Sequence, residues 1–592
     1  MSEFLQDRLD YKLSRRSFAK LAGIGALATT SGILVACEVD DDDDDVDVDD
    51  DEPAVDPDDE LDDTDVDDEP DVDDDDEPEV DDDEPEVDDD EPEVDDDEPD
   101  EDARMGGAIN IGTTGEPPTL DLHQTTADIV ALITWHVYEP LFTWDEDYEL
   151  TGELAESHEV SDDGLNITIE LREGVTFHNG EELTAADVTA SFDRWANMSP
   201  LGGDILEVTE DFETVDDHTV EFHLTQAFGA FAVLMSRQSQ GFAIYPESVI
   251  EETGDDELAE YIGTGPYQFV EHLPDQHIHL ERFDDYAQPA DEPNGYGGYK
   301  PQYLDDIFFI PVPDEAARSA GLQAGDYHYV QGISSDQFDV LDEDPGVTME
   351  TLPAQAWAMF VLNTAEGLMS DQTIRQAVQA ALDHEAMARA AYGEGFYELH
   401  PGLMHRETAW FSEVGGELYN QNDLDRAAEL LEEAGYDGTP IRFVTTQEIP
   451  YMYNSAAVGV QQLEDAGFEV DLQVYDWATV VEIRANPGEW DIFTTGSTFR
   501  VDPVMQPYVA STDWPGWWDS EEKVAAAEEL MSETDFDVRF EAFEEVQRLW
   551  YEEAPKIKIA DELGFNARRA SVQGFTGQVQ LGDTFWNLWI EE

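Results

Sequence analysis

Residues 441–477 read IRFVTTQEIPYMYNSAAVGVQQLEDAGFEVDLQVYDW. The run opens on IRFVTT, whose branched and aromatic residues suit an extended strand. SAAVGVQQLEDAG then has helical character, and FEVDLQVYDW returns to strand, ending near Trp477. Strand, helix, strand is the pattern of an α/β domain, because two parallel strands need a crossover that is usually a helix.

The same mixture extends outward. DLDRAAELLEEAGYD predicts a helix with Asp423 as its cap and Gly435 as its stop. DQTIRQAVQAALDHEAMARAAY predicts a helix with Ile374, Val378 and Leu382 on one face. Far upstream, NITIELREGVTF alternates, with Ile167, Ile169 and Leu171 on the buried face of a strand. LTAADVTASFDRW follows as a helix that Thr184 is placed to cap. From Met105 onward the chain is long enough for two or three domains with sizeable cores.

Charge is the dominant compositional fact. The 592 residues hold 26 Lys+Arg against 145 Asp+Glu, a formal net charge of −119. Such a surface repels itself at ordinary ionic strength, whereas at ~1 M salt the Debye length falls to about 3 Å and the repulsion is screened. With six lysines and twenty arginines, the composition resembles that of proteins from extreme halophiles. It argues against nucleic-acid binding. It also makes carboxylate pairs at catalytic or metal-like spacings common by chance, so none is weighted on spacing alone.

The only cysteine, Cys37, sits between an apolar run and an acidic one. Upstream, Arg15 and Arg16 precede an apolar stretch from Leu21 to Val35, shorter than the ~20 residues of a membrane-spanning helix. A basic region followed by a short apolar one describes an export signal, and the adjacent arginines resemble the twin-arginine type. Leu34-Val35-Ala36-Cys37 resembles a lipobox, which makes Cys37 a candidate lipid anchor; an ordinary signal peptide with a chance cysteine is the alternative. Of the 65 residues from Glu38 to Asp102, 46 are Asp or Glu and none is Lys, Arg or aromatic. Such a segment has too little apolar surface to fold, so residues 38–104 read as a disordered spacer after a signal peptide at 1–37. EVDDDEP recurs three times within it as low-complexity sequence.

Eight segments in order resemble the extracellular solute-binding proteins of family 5, the dipeptide- and oligopeptide-binding type that serves ABC importers. PPTLDLHQTTAD and HVYEPLFTWD are similar to the family's opening, and LREGVTFHNGEELTAADV (Leu171 to Val188) is the most specific match. GTGPYQF, FVLNT, IRQAVQAALDHEAM and RAAELLEEAGY follow, and DVRFEAFEEVQRLWYEEAPKI also fits. The resemblance implies the two-lobed type II binding-protein fold with an enlarged N-terminal lobe. Lobe I would comprise 105–356 and 556–592, and lobe II 357–555. It further implies a monomer that closes on a peptide or similar solute and delivers it to a membrane permease, without cofactor or metal.

In peptide-binding members an aspartate holding the ligand's amino group lies three residues before an acidic-Pro pair. Here that pair is Asp502-Pro503, and Phe499 stands where the aspartate belongs, preceded by Thr498 and followed by Arg500. If Arg500 faces the cleft, a ligand carboxylate, phosphate or other anion becomes attractive. Asp502 taking the aspartate's role is the alternative, and a surface ion pair for Arg500 is another. Trp357, Tyr451 and Trp477 are candidates for stacking on ligand, although each also suits the core. Trp514, Trp517 and Trp518 in DWPGWWD form either a lid or a packing patch. His277 and His279 share a strand face, but nothing nearby completes a zinc site.

No nucleophile elbow, P-loop or dinucleotide fingerprint supports an enzyme. A surface-layer structural protein, a binder feeding a sensory receptor, and a binder of sugar, anionic solute or metal chelate remain as alternatives.

Overall fold

Two long strands, Val347–Leu362 and Lys556–Arg569, run antiparallel from the pair Val347 and Arg569 to the pair Val361 and Lys556. The computed structural model describes residues 104–254, 256–575 and 583–591. Arg15, Arg16, Cys37 and the acidic run to Asp102 lie outside the described residues.

Both long strands are shared by two half-sheets. Lys556–Arg569 carries Tyr329–Val330, followed in order by Ala108–Thr113, Asp306–Pro311, His277–Arg282 and Tyr267–Leu273. On the other side, Val347–Leu362 carries Ile492–Thr498, then Ile441–Thr446 and Val470–Tyr475. The first half-sheet is joined at Ala567, which faces Val330 and Met349. The second is joined along Ala356 to Leu362. Each half-sheet is the middle of one lobe. Between them the register of the long pair slips at Thr351/Ala354, Ala354/Ala356 and Trp357/Met359. Bulges of this kind bend and twist a strand, and here they fall between the stretches that carry the two half-sheets.

The β-α-β reading holds: Ile441–Thr446 and Val470–Tyr475 are parallel neighbours around the helix Pro450–Asp465. The helix begins earlier than SAAVG because Pro450 occupies its first turn, where no backbone N–H is needed. Asp423 accepts from Arg426 N at 2.9 Å, and Gly435 ends that helix at φ 67 in the left-handed region. The single helix expected over residues 371–392 is two, Gln372–Ala381 and His384–Tyr392. Leu382 is extended between them and still buried, and Asp383 caps the second through Ala386 N at 3.2 Å. An aspartate that satisfies a backbone N–H locally competes with continued helix, and here it restarts one.

A separate four-stranded antiparallel sheet, in the order Ala155–Val160, Asn166–Leu171, Thr219–Leu224, Thr209–Asp216, enlarges the first lobe. Ile167, Ile169 and Leu171 are buried as their alternation requires. The helix Ala185–Met198 covers this sheet, with Phe192 4.9 Å from Phe222 and 5.0 Å from Phe212 between ring centroids. Asp187 Oδ2 accepts from Thr184 N at 2.8 Å, which fixes the start of that helix. No helix among the described residues is long and apolar enough to cross a membrane.

Candidate ligand-binding site

A cavity of about 520 Å³ opens where the half-sheets meet, a volume within the usual range for small-solute sites. The first lobe supplies Thr114, Asp128, Leu132, Trp135, Arg237, Ser239 and Tyr296. The second supplies Thr498, Phe499, Arg500, Val501 and Met505. Ala356, Glu562 and Gly564 of the two long strands face the same space, as do Gln331 and Asp583.

Each charged group here has a structural reason for its position. Arg500 follows the strand Ile492–Thr498, and its Nη1 donates to the Phe499 carbonyl at 2.7 Å. Arg237 follows the helix Phe231–Met235 and is held near the helix Asp128–Thr134, where Trp135 Nε1 donates to the Gln238 carbonyl at 3.1 Å. Arg237 Nη2 donates to Ser239 Oγ at 3.3 Å, and its Nε is buried without a partner. Neither guanidinium is ion-paired among the described residues. Burial, then the charge of Arg500, holds Arg237 down to about 10, with Asp128 opposing. Burial lowers Arg500 as well, again against Asp128.

The carboxyls at the hinge side complement them. Burial alone pushes Glu562 up to about 7, and no cation pairs with it among the described residues. Asp583 accepts from Tyr329 Oη at 2.6 Å and from Gln331 Nε2 at 3.3 Å, while its Oδ1 is buried without a partner among the described residues. Burial raises this carboxyl too.

The model of the bacterial extracellular solute-binding proteins, family 5, matches residues 149–541. The chain belongs to this family. Among its relatives is a "Probable peptide ABC transporter periplasmic-binding protein" of Sinorhizobium fredii, 26% identical over 474 residues, covering 76% of this chain and 88% of the relative. The glutathione-binding protein GsiB of Salmonella typhi is 26% identical over 486 residues, covering 79% and 91%. Among solved structures, the ABC transporter-associated periplasmic binding protein DppA of Helicobacter pylori, in complex with peptide STSA, superposes with a TM-score of 0.67. That match has 20% identity and covers 83% of this chain and 99% of the other.

Of the residues singled out in the sequence, this member of family 5 brings Thr498, Phe499 and Arg500 to the cavity. Asp502 is not among the lining residues. Its carboxylate accepts two hydrogen bonds from Arg539 Nη2, at 2.9 and 3.1 Å, and one from Val504 N at 3.0 Å. Trp357 also turns away: Ala356 lines the cavity, and the next residue on a strand points to the opposite face. Its indole lies 5.8 Å from Tyr508 and 6.0 Å from Trp550 in the core. Tyr451 packs on Tyr392 with its hydroxyl against Gly496. Trp477 begins the helix Trp477–Arg484 and is covered by Arg484.

The other open choices also resolve in packing. Trp517 stacks on Trp490, and Trp518 Nε1 donates to Glu553 at 2.6 Å, so DWPGWWD is a packing patch. At its centre Lys556 Nζ lies 5.3–5.8 Å from the rings of Tyr508, Trp514, Trp518 and Trp550. His279 accepts or donates at 2.7 Å with Asp306, and His277 sits 3.3 Å from Glu271, each histidine paired with its own carboxylate.

Arg237, Glu562 and Asp583 were not singled out in the sequence. Arg237 carried a usable signal, as one of few cations placed just after the apolar FAVLM. Glu562 and Asp583 carried none, being two acids among 145.

Proposed function

We propose that this protein captures a peptide or similar small polar solute and hands it to the permease of an ABC importer. The observation that carries the reading is a solute-sized cavity walled by both lobes and floored by the strands that join them. Ligand contacts made to both walls favour the closed arrangement, and a closed form that differs from the open one is what a permease can recognise. Relatives named for peptide transport and for glutathione binding support the solute class. One feature favours a second solute class: Phe499 stands in place of the amine-holding aspartate and Arg500 faces the cavity, which suits an anionic solute.

In this reading Arg15 and Arg16 mark twin-arginine export, Cys37 carries lipid, and residues 38–104 hold a monomeric binder off the extracellular face of the membrane. The acidic surface suits multimolar salt. Lobe I is 105–356 with 556–592, and lobe II is 357–555.

Thermal unfolding in multimolar salt tests the reading. A ligand at 100-fold excess over its dissociation constant adds about 2.7 kcal/mol of stability. A midpoint raised by pooled short peptides supports peptide capture; an unmoved midpoint removes it. Mass spectrometry of the exported protein tests the anchor, and an unlipidated Cys37 removes that part.

A further inference from the structure

The cavity's charges are sorted by wall and floor, and none of Arg237, Arg500, Glu562 and Asp583 forms an ion pair among the described residues. Arg237 stands on the first lobe's wall and Arg500 on the second's, both without an ion pair among the described residues. Among the described residues one buried guanidinium N–H of Arg237 has no partner. Such a group costs free energy until an acceptor arrives, and a carboxylate matches a guanidinium fork better than any neutral acceptor. The two arginines also repel each other across the lobes, so an anion between them removes a penalty on closure as it gains its contacts.

On the floor the signs reverse. Glu562 comes from the strand Lys556–Arg569. Asp583 is tied to Tyr329 and Gln331 beside that strand. Among the described residues Glu562 has no cation, and one oxygen of Asp583 has no partner. The arginines stand on the walls beside Asp128, an exposed carboxylate of the first lobe, whereas Glu562 lies on the long strand that floors the cavity.

We propose that the cleft takes a zwitterionic solute in one direction, its anionic group between Arg237 and Arg500 and its cationic group toward Glu562 and Asp583. This rests on the solute-capture reading and specifies the ligand's two ends. It places the amino group on the hinge strand, and the anion beside the position where peptide-binding relatives hold the amine.

Calorimetry on the folded chain in multimolar salt tests the assignment. The probes are a pool of di- and tripeptides in unmodified, N-acetylated and C-amidated forms, with succinate, putrescine and γ-aminobutyrate alongside. Unmodified peptides should bind best. R500Q should weaken them on the order of tenfold to a hundredfold and erase the difference between unmodified and amidated forms. R500K should keep part of that difference, and E562Q should erase sensitivity to acetylation alone. Melting curves confirm that each variant is folded. If amidation costs nothing, or R500Q binds as the parent does, the charge map is wrong and peptide capture still stands. If all peptides fail but γ-aminobutyrate binds and responds to both variants, peptide capture falls and the map stands. Binding of putrescine alone, or of none of the probes, overturns the map.

Discussion

Replacing Asp502 separates a ligand role from a structural one. Its side chain is 3% exposed and that of Arg539 8%, with the closest N–O contact at 2.9 Å. Arg539 also donates its Nε to the Leu530 carbonyl at 3.0 Å and lies over Trp410 at 4.9 Å, so it cannot swing into solvent cheaply. D502A therefore leaves a guanidinium buried without its counter-ion, which costs about 3–5 kcal/mol. It also removes the acceptor for Val504 N, worth about 1 kcal/mol more as a lost cap. R539M in the D502A background deletes the stranded charge, so the double variant should be more stable than D502A alone. Urea unfolding of parent, both single variants and the double variant gives the coupling, and calorimetry on each gives solute affinity. The expected result is a large loss of stability in D502A with affinity unchanged in the protein that remains folded. A D502A protein as stable as the parent, but blind to the solute's amino group, would refute the structural assignment and return Asp502 to the cleft.

Other outcomes follow from the same geometry. Glu562 titrates near 7 because it is buried, so affinity for free-amine peptides should rise from pH 5 toward about pH 7 as the carboxylate forms. E562Q should flatten that rise, and a parallel profile in both proteins counts against the assignment; Tyr392 and Tyr451, the hydroxyls nearby, stay protonated throughout. In the empty protein the sign is opposite: the stability from a raised carboxyl is full below its ordinary range and lost as pH climbs through about 7. Lys556, pushed down to about 7 by burial, behaves inversely: its contribution is full above the ordinary lysine value and is lost as pH falls through about 7. K556M should thus raise the unfolding midpoint, most strongly below pH 7, whereas a lower midpoint at every pH would mean that the four-ring cation–π contacts outweigh desolvation. A Cβ on Gly229 would lie 1.7 Å from the Glu533 carbonyl oxygen, so G229A should destabilise by about 1–3 kcal/mol. A midpoint equal to the parent's would show that this close approach is not kept in solution.

The α/β character, the capped helices at Thr184 and Asp423 and the buried face of Asn166–Leu171 were legible because each depends on local periodicity or on one backbone-capping side chain. The break at Leu382 was less so: the apolar spacing runs straight through it, and only the capping aspartate at 383 marks the restart. Family resemblance carried the reading to Thr498, Phe499 and Arg500, since a motif fixes positions along a chain. It did not say which way each side chain turns. Asp502 and Arg500 are two residues apart, yet one is held in the core by Arg539 while the other lines the cleft.

By itself, then, the sequence determined the acidity, the mixed secondary structure, the family and the stretch from which a wall of the cleft is made, all of them properties of neighbours in the chain. Only the tertiary structure decided which charges meet. Arg237 and Arg500 line one cavity from opposite lobes, with Glu562 and Asp583 beneath, because two long strands bring together segments hundreds of residues apart. Burial there leaves four ionisable groups in a cleft with little to pair them. That is a three-dimensional fact, and composition obscured it, since a carboxylate that matters reads the same as one that merely faces solvent.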